Sequence, residues 1–261
     1  MTARLPGRRT TFDAPHFLLR VLFPLESRHD TSRYPLSIAA ARDIEAIEFH
    51  PKVTFLVGEN GSGKSTLIEA IAVLMGLNPE GGTQNFAFST RASHSSLAGM
   101  LRPVRGVKRP KTRFFLRAES FFNLATNIED LDTPPDSFGP PIGPNYSDKS
   151  LHEQSHGESF MALMLNRFGP QGLYILDEPE AALSPQRQLA MLVRMHDLVG
   201  QGCQFIIATH SPILMAYPDA TIYQLDDRGI LPTTLRDTDH YRVTLDFLRD
   251  PEKRIADLLG D

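Results

Sequence analysis

Gly58-Glu59-Asn60-Gly61-Ser62-Gly63-Lys64-Ser65 is the stretch that decides the fold of this chain. It fits G-x-x-x-x-G-K-[ST] at every fixed position, a match that chance supplies in roughly one per cent of chains this long at ordinary glycine usage. Val53-Thr54-Phe55-Leu56-Val57 before it is an apolar, β-branched run that reads as a buried parallel strand. Thr66 to Met75 after it has apolar positions at helical spacing. Strand, glycine loop and helix together suit a phosphate. Glycines let the backbone curl until successive N–H groups point inward, and the helix N-terminus adds partial positive charge. On this reading Gly58, Glu59, Asn60, Gly61, Ser62, Gly63 and Thr66 cradle a nucleotide. Lys64 reaches its β- and γ-phosphates, and the Ser65 hydroxyl ligates Mg²⁺.

Working outward, 261 residues suffice for one large α/β domain or a core with a subdomain. A hydrophobic content of 41% and a charged content of 22% exclude a disordered or collagen-like chain. The net charge of −4 gives no overall pull toward nucleic acid or anionic membrane. The single cysteine, Cys203, rules out an intrachain disulfide and points to a cytoplasmic protein, with the thiol buried in an apolar run. No apolar run reaches the ~18 residues needed to span a bilayer. Charge is nonetheless uneven. Between Gly81 and Ala118 there is no acid, while Arg91, Arg102, Arg105, Lys108, Arg109, Lys111, Arg113 and Arg117 add eight positive charges. This basic segment, 91–117, either neutralises backbone phosphates of DNA or RNA or balances the acids of 119–136. Thr133 to Pro144 carries five prolines and two glycines and reads as a loop.

Two further strand ends complete a hydrolytic site. Leu173-Tyr174-Ile175-Leu176 leads into Asp177-Glu178-Pro179, with the acids at the C-terminal end of a buried strand, where α/β sheets place ligands. Asp177 suits the metal, and Glu178 suits the general base that polarises the attacking water. Gln204-Phe205-Ile206-Ile207-Ala208 leads into Thr209-His210, on a strand expected beside the first, so His210 can sense the terminal phosphate. Between helix and strand, Ser155 reads as an N-cap, with Glu158 as its capping-box partner.

The Walker A loop at 58–65, a polar-glycine signature at 154–158, a Walker B strand at 173–178 and a switch histidine at 210 stand in the order of ATP-binding-cassette ATPases. The resemblance runs from about residue 36 to 225. It implies a three-layer α/β/α P-loop fold with an N-terminal β portion and an inserted helical lobe. It also implies ATP with Mg²⁺, and a head-to-tail homodimer in which Ser155 and Gly157 contact the γ-phosphate held on the partner's Lys64. ATP over GTP rests on the resemblance, since no Asn-Lys-x-Asp motif is present. The implied layout is a single domain, 1–261. Residues 17–75 form the β portion and loop, with strands over 17–23 and 44–49. Residues 76–160 form the lobe, 161–236 the Walker B and histidine core, and 237–261 C-terminal packing helices.

Departures from that pattern narrow the branch. The signature reads Gln154-Ser155-His156-Gly157-Glu158, with an acid where the family has an amide. Glu119 stands where transporter subunits carry a metal- or water-binding glutamine. The loop after Walker B reads Ala181-Ala182-Leu183-Ser184 without the usual Asp. Lys64 and Ser155 are 91 residues apart with no heptad run between them, so long coiled-coil arms are absent. The chain is therefore similar to small soluble ATPases related to the chromosome-maintenance and recombination branch. A switch acting on nucleic acid is the expected function. The alternative is the ATP-binding subunit of a membrane transporter, which would need an unidentified protein partner. A regulatory module without hydrolysis is opposed by the complete set Lys64, Ser65, Asp177, Glu178 and His210. Tyr34 either stacks on adenine or packs in the core.

Overall fold

The computed structural model describes residues 16–24, 45–79, 81–82, 97–119 and 155–260. Tyr34, Arg91, Gln154 and the proline-rich stretch 133–144 lie outside them. The central sheet has the order β5-β6-β7-β3-β8-β9, built from β3 (Val53–Gly58), β5 (Thr112–Arg117), β6 (Gly172–Asp177), β7 (Gln204–Ala208), β8 (Thr221–Asp226) and β9 (Gly229–Thr233). All pairings are parallel except the closing β8–β9 hairpin. The middle strands are apolar on both faces because helices or a second sheet cover each side.

Strand alternation divides the core in two. Val53, Phe55 and Val57 join Phe114, Tyr174, Phe205 and Ile207 on one face, under α3 (His156–Arg167) and α4 (Pro185–Gly200). Leu56, Ile175 and Ile206 join the opposite face with Ile68 and Ile71 of α1 (Lys64–Leu74). A three-stranded antiparallel sheet lies on that side too, ordered β2-β1-β4 from β1 (Leu18–Leu22), β2 (Ala46–Glu48) and β4 (Arg102–Arg105). The strands expected over 17–23 and 44–49 are thus present and pair with each other.

One buried polar side chain clasps the two sheets. Gln204, fully buried, accepts from the N–H groups of Phe17 and Leu18 at 3.0 Å each, and donates to Leu18 O at 2.8 Å and His50 O at 3.1 Å. Every donor and acceptor of the amide is used, which is the condition for burying it without penalty. Cys203 is buried as expected. Its thiol donates to Gly169 O, and burial pushes its pKa up.

The interval 76–160 differs from a purely helical insertion. Its described residues supply the short α2 (Leu97–Met100) and one strand to each sheet, β4 and β5. Two of its arginines cap helix α1. Arg105 donates to Leu74 O at 2.5 Å and Arg113 to Met75 O at 2.6 Å, meeting carbonyls at the negative end of the helix dipole. Beyond the short α5 (Pro212–Met215), the chain ends in α6 (Asp239–Arg249) and α7 (Pro251–Leu259). These were expected to pack, yet neither has a fully buried residue, and Leu248, Leu258 and Leu259 stand exposed.

Candidate active site

Parallel pairing puts the chemistry on one edge. Register aligns Arg117 with Asp177, Asp177 with Ala208, and Ala208 with Leu56, two residues before Gly58. The C-terminal ends of β5, β6, β7 and β3 therefore open on the same side. With neighbouring strands about 4.8 Å apart, Asp177 is two strands from β3, and Ser65 at the start of α1 closes the gap. Its hydroxyl lies 3.2 Å from Asp177 Oδ1.

The loop needs its glycines for two different reasons. Gly58 passes so close to β8 that a Cβ would fall 2.3 Å from Leu225 O. Gly61 has open space around it but takes φ +82°, a left-handed conformation that side chains resist. Lys64 is buried and folded onto its own loop, donating to Gly58 O at 2.8 Å and Glu59 O at 2.9 Å. Burial lowers its pKa, against the opposing pull of Glu178 and Asp177. An open cleft of about 1060 Å³ borders Asn60, Gly61 and Ser62 and reaches Arg228 and Arg242, leaving the loop accessible.

Asp177 is buried, and burial raises its carboxyl to about 6 despite Arg117, whose Nε donates to Oδ2 at 3.1 Å. Arg117 also pairs with Glu69 at 3.3 Å. This arginine was read from sequence only as part of a basic run. Its place at the end of β5, in register with Asp177, was the missed signal. Glu119, the expected ligand, is exposed two residues further on. Among the described residues no group of three or more His, Cys, Asp or Glu converges as a metal cluster. What is present is a hydroxyl and a buried carboxylate, hard oxygen donors that fit Mg²⁺ when phosphates and water complete the shell.

Glu178 takes φ 50° and ψ 51°, a left-handed geometry costing a non-glycine residue roughly 1–2 kcal/mol. Its N–H is fixed by Ala208 O at 2.9 Å, so the strain turns the chain sharply out of β6. The side chain ends 3.3 Å from His210 Nε2. His210 is held twice more. Glu180 accepts its backbone N–H at 2.5 Å, and its Nδ1 lies 2.8 Å from Nε2 of His240 on α6. Burial, then Lys64, lowers the His210 pKa. Neither Glu180 nor His240 was singled out from sequence. A histidine in a segment read as packing helices gives no local signal of that contact.

Ser155 caps α3 as expected. Its N–H and hydroxyl both donate to Glu158, at 3.0 and 2.8 Å, while Arg187 bridges Ser155 Oγ at 3.2 Å and Glu158 at 3.1 Å. Gly157 lies against the turn that follows Glu178. A Cβ there would meet Ala182 O at 2.9 Å and Arg187 Nη1 at 2.4 Å. Ser155 is exposed and bonded to this cluster rather than to the chain's own P-loop.

Two family models match in tandem over these elements. An AAA domain covers residues 36–112, and "AAA domain, putative AbiEii toxin, Type IV TA system" covers 153–216. A curated relative, the energy-coupling factor transporter ATP-binding protein EcfA2 of Streptococcus pneumoniae, is 24% identical over 193 residues, covering 67% of each chain. The chain is a P-loop ATPase similar to those of the ATP-binding-cassette type. Solved structures similar to this ATPase include the SMC head domain from Thermotoga maritima, at 19% identity and a TM-score of 0.40 over 72% of this chain and 92% of that one. Another is cbiO1 from Clostridium perfringens, at 17% identity and a TM-score of 0.44 over 84% and 92%. Among the described residues no helix is long and apolar enough to cross a membrane.

Proposed function

We infer that this ATPase hydrolyses MgATP between two copies of the chain and that the ATP-bound dimer acts on nucleic acid. The carrying observation is a division of the site. Lys64, Ser65, Asp177, Glu178 and His210 meet at one sheet edge, whereas Ser155 stands exposed at the start of α3 without contacting that loop. A helix start with an exposed hydroxyl suits a phosphate presented by a second molecule.

In the mechanism, Lys64 leaves Gly58 O and Glu59 O for the β- and γ-phosphates. Ser65 and Asp177 would hold Mg²⁺, which supplies charge to offset the triphosphate. Glu178 accepts the proton of the attacking water, and His210 orients beside the terminal phosphate. Ser155 reaches a partner's phosphate by releasing Glu158, a rearrangement the acid at 158 makes costlier than an amide would. Replacing Glu178 with Gln removes the base and keeps the binding groups, so light scattering should show a dimer that persists with MgATP. A monomer at saturating MgATP contradicts the sandwich.

The nucleic-acid reading draws on the basic segment after its structural members are set aside. Arg105 and Arg113 cap α1 and Arg117 faces Asp177, leaving Arg102, Lys108, Arg109 and Lys111 exposed for phosphates. Salt-dependent DNA binding that survives replacement of these four by Ala overturns the patch's role. The transporter name of the curated relative favours a second reading, in which the ATPase energises a membrane partner. Stable co-purification with an integral membrane protein selects that reading.

A further inference from the structure

We propose that His240 is a positioning residue for hydrolysis, donating a hydrogen bond that holds His210 with its proton on Nε2, facing Glu178 and the terminal phosphate. The proposal deepens the reading of His210 given above and rests on it. The observations form a chain of three groups. Glu178 Oε1 lies 3.3 Å from His210 Nε2, and His210 Nδ1 lies 2.8 Å from His240 Nε2, the two rings 4.9 Å apart and inclined at 61°.

Between Nδ1 of His210 and Nε2 of His240 one proton is shared, and only two neutral arrangements exist. If His240 donates, His210 carries its proton on Nε2, toward the Glu178 carboxylate, and His240 keeps a bare Nδ1. If His210 donates, a bare Nε2 faces the carboxylate, and His240 carries an N–H on Nδ1. Nδ1 of His240 and Nε2 of His210 are both buried, and neither has a hydrogen-bond partner of good geometry. Either arrangement leaves one buried N–H short of a full hydrogen bond, so that cost does not separate them. Charge does: Nε2 of His210 lies 3.3 Å from the Glu178 carboxylate, which attracts an N–H and repels a lone pair. The first arrangement wins on that ground.

Burial is the largest effect on each ring and lowers both pKa values, favouring the neutral forms against the pull of the nearby acids. His210 faces Lys64, Glu178, Glu180 and His240, while His240 faces Glu59, Lys64 and Asp239. His240 also sits in the first turn of α6, at the positive end of its dipole. Its position is fixed by the helix cap, since the buried Thr238 accepts from Tyr241 N and donates to Leu235 O at 2.7 Å. The switch histidine is thereby tied to the C-terminal helices, outside the strand that carries it.

The test combines ring ¹⁵N spectroscopy with kinetics. Two-bond ¹H–¹⁵N correlation spectra of histidine-labelled protein report each ring's tautomer, with His210→Ala used for assignment. We expect one tautomer for His210, protonated on Nε2, and a mixture of tautomers in His240→Ala. We expect His240→Ala to lower kcat on the order of tenfold with KM for ATP unchanged. His240→Gln, whose amide N–H can replace the donor, should restore most of that loss and the single tautomer. Thermal unfolding of all three proteins shows that they are folded. A wild-type His210 protonated on Nδ1, or His240→Ala with unchanged tautomer and kcat, overturns the proposal. So does His240→Gln as impaired as His240→Ala at equal melting temperature. If His210→Ala itself turns over normally, the reading of His210 fails; if only His240→Ala does, the positioning role fails alone.

Discussion

Asp177→Asn should stabilise the nucleotide-free protein while abolishing hydrolysis. Burial lifts the Asp177 carboxyl from 3.8 to about 6, so the fold favours its protonated form. Folded protein then binds more protons than unfolded chain between those values, and stability falls as pH rises through that window. At about 1.4 kcal/mol for each pH unit, the ionised carboxylate costs the fold about 3 kcal/mol above pH 6, and nothing below about pH 4. Asn resembles the protonated acid and carries no such cost. Arg117 keeps Glu69 at 3.3 Å, so no orphaned cation offsets the gain. The assay is thermal unfolding in EDTA from pH 4 to pH 8. The variant should match wild type at pH 4 and melt roughly 6–12 °C higher at pH 8. A difference independent of pH, or a variant less stable at pH 8, refutes the argument that this site is held under electrostatic strain until a cation arrives.

Three other outcomes follow from contacts described above. Gln204→Leu leaves Phe17 N, Leu18 N, Leu18 O and His50 O without their buried partner; chemical denaturation should show a loss on the order of 3 kcal/mol or more. Gly58→Ala drives a Cβ into Leu225 O and should abolish nucleotide binding in calorimetry, whereas Gly61→Ala meets no atom and should cost only about 1–2 kcal/mol of stability. Arg113→Ala should lower stability by about 1 kcal/mol through lost capping of α1 and leave DNA affinity unchanged, while Arg109→Ala should weaken DNA binding in a salt-dependent manner without altering stability.

The parts of the site that sequence made legible are those whose geometry is local. A strand, a glycine loop and a helix are contiguous, so residues 53–75 announced their own arrangement. Asp177 and His210 each end an apolar run, and strand ends in a parallel sheet share an edge. What stayed hidden depends on pairings far apart in the chain. Gln204 read as one more residue of an apolar strand, yet its amide answers backbone groups 186 and 187 residues away. Arg117 looked like the last member of a basic run until the β5–β6 register set it against Asp177. His240 meets His210 only because Thr238 starts α6 beside the switch strand, and no periodicity encodes that docking.

The central claim is that each ATP is hydrolysed by the P-loop of one copy and the signature helix of another. The most direct measurement is MgATP turnover by Lys64→Ala and Ser155→Arg variants, assayed separately and then mixed. Each alone should be inactive, while the mixture should regain turnover, because the intact Lys64 of one copy can meet the intact Ser155 of the other. A mixture that stays at the blank level while both variants melt as wild type does, or Ser155→Arg hydrolysing alone at the wild-type rate, contradicts the shared site.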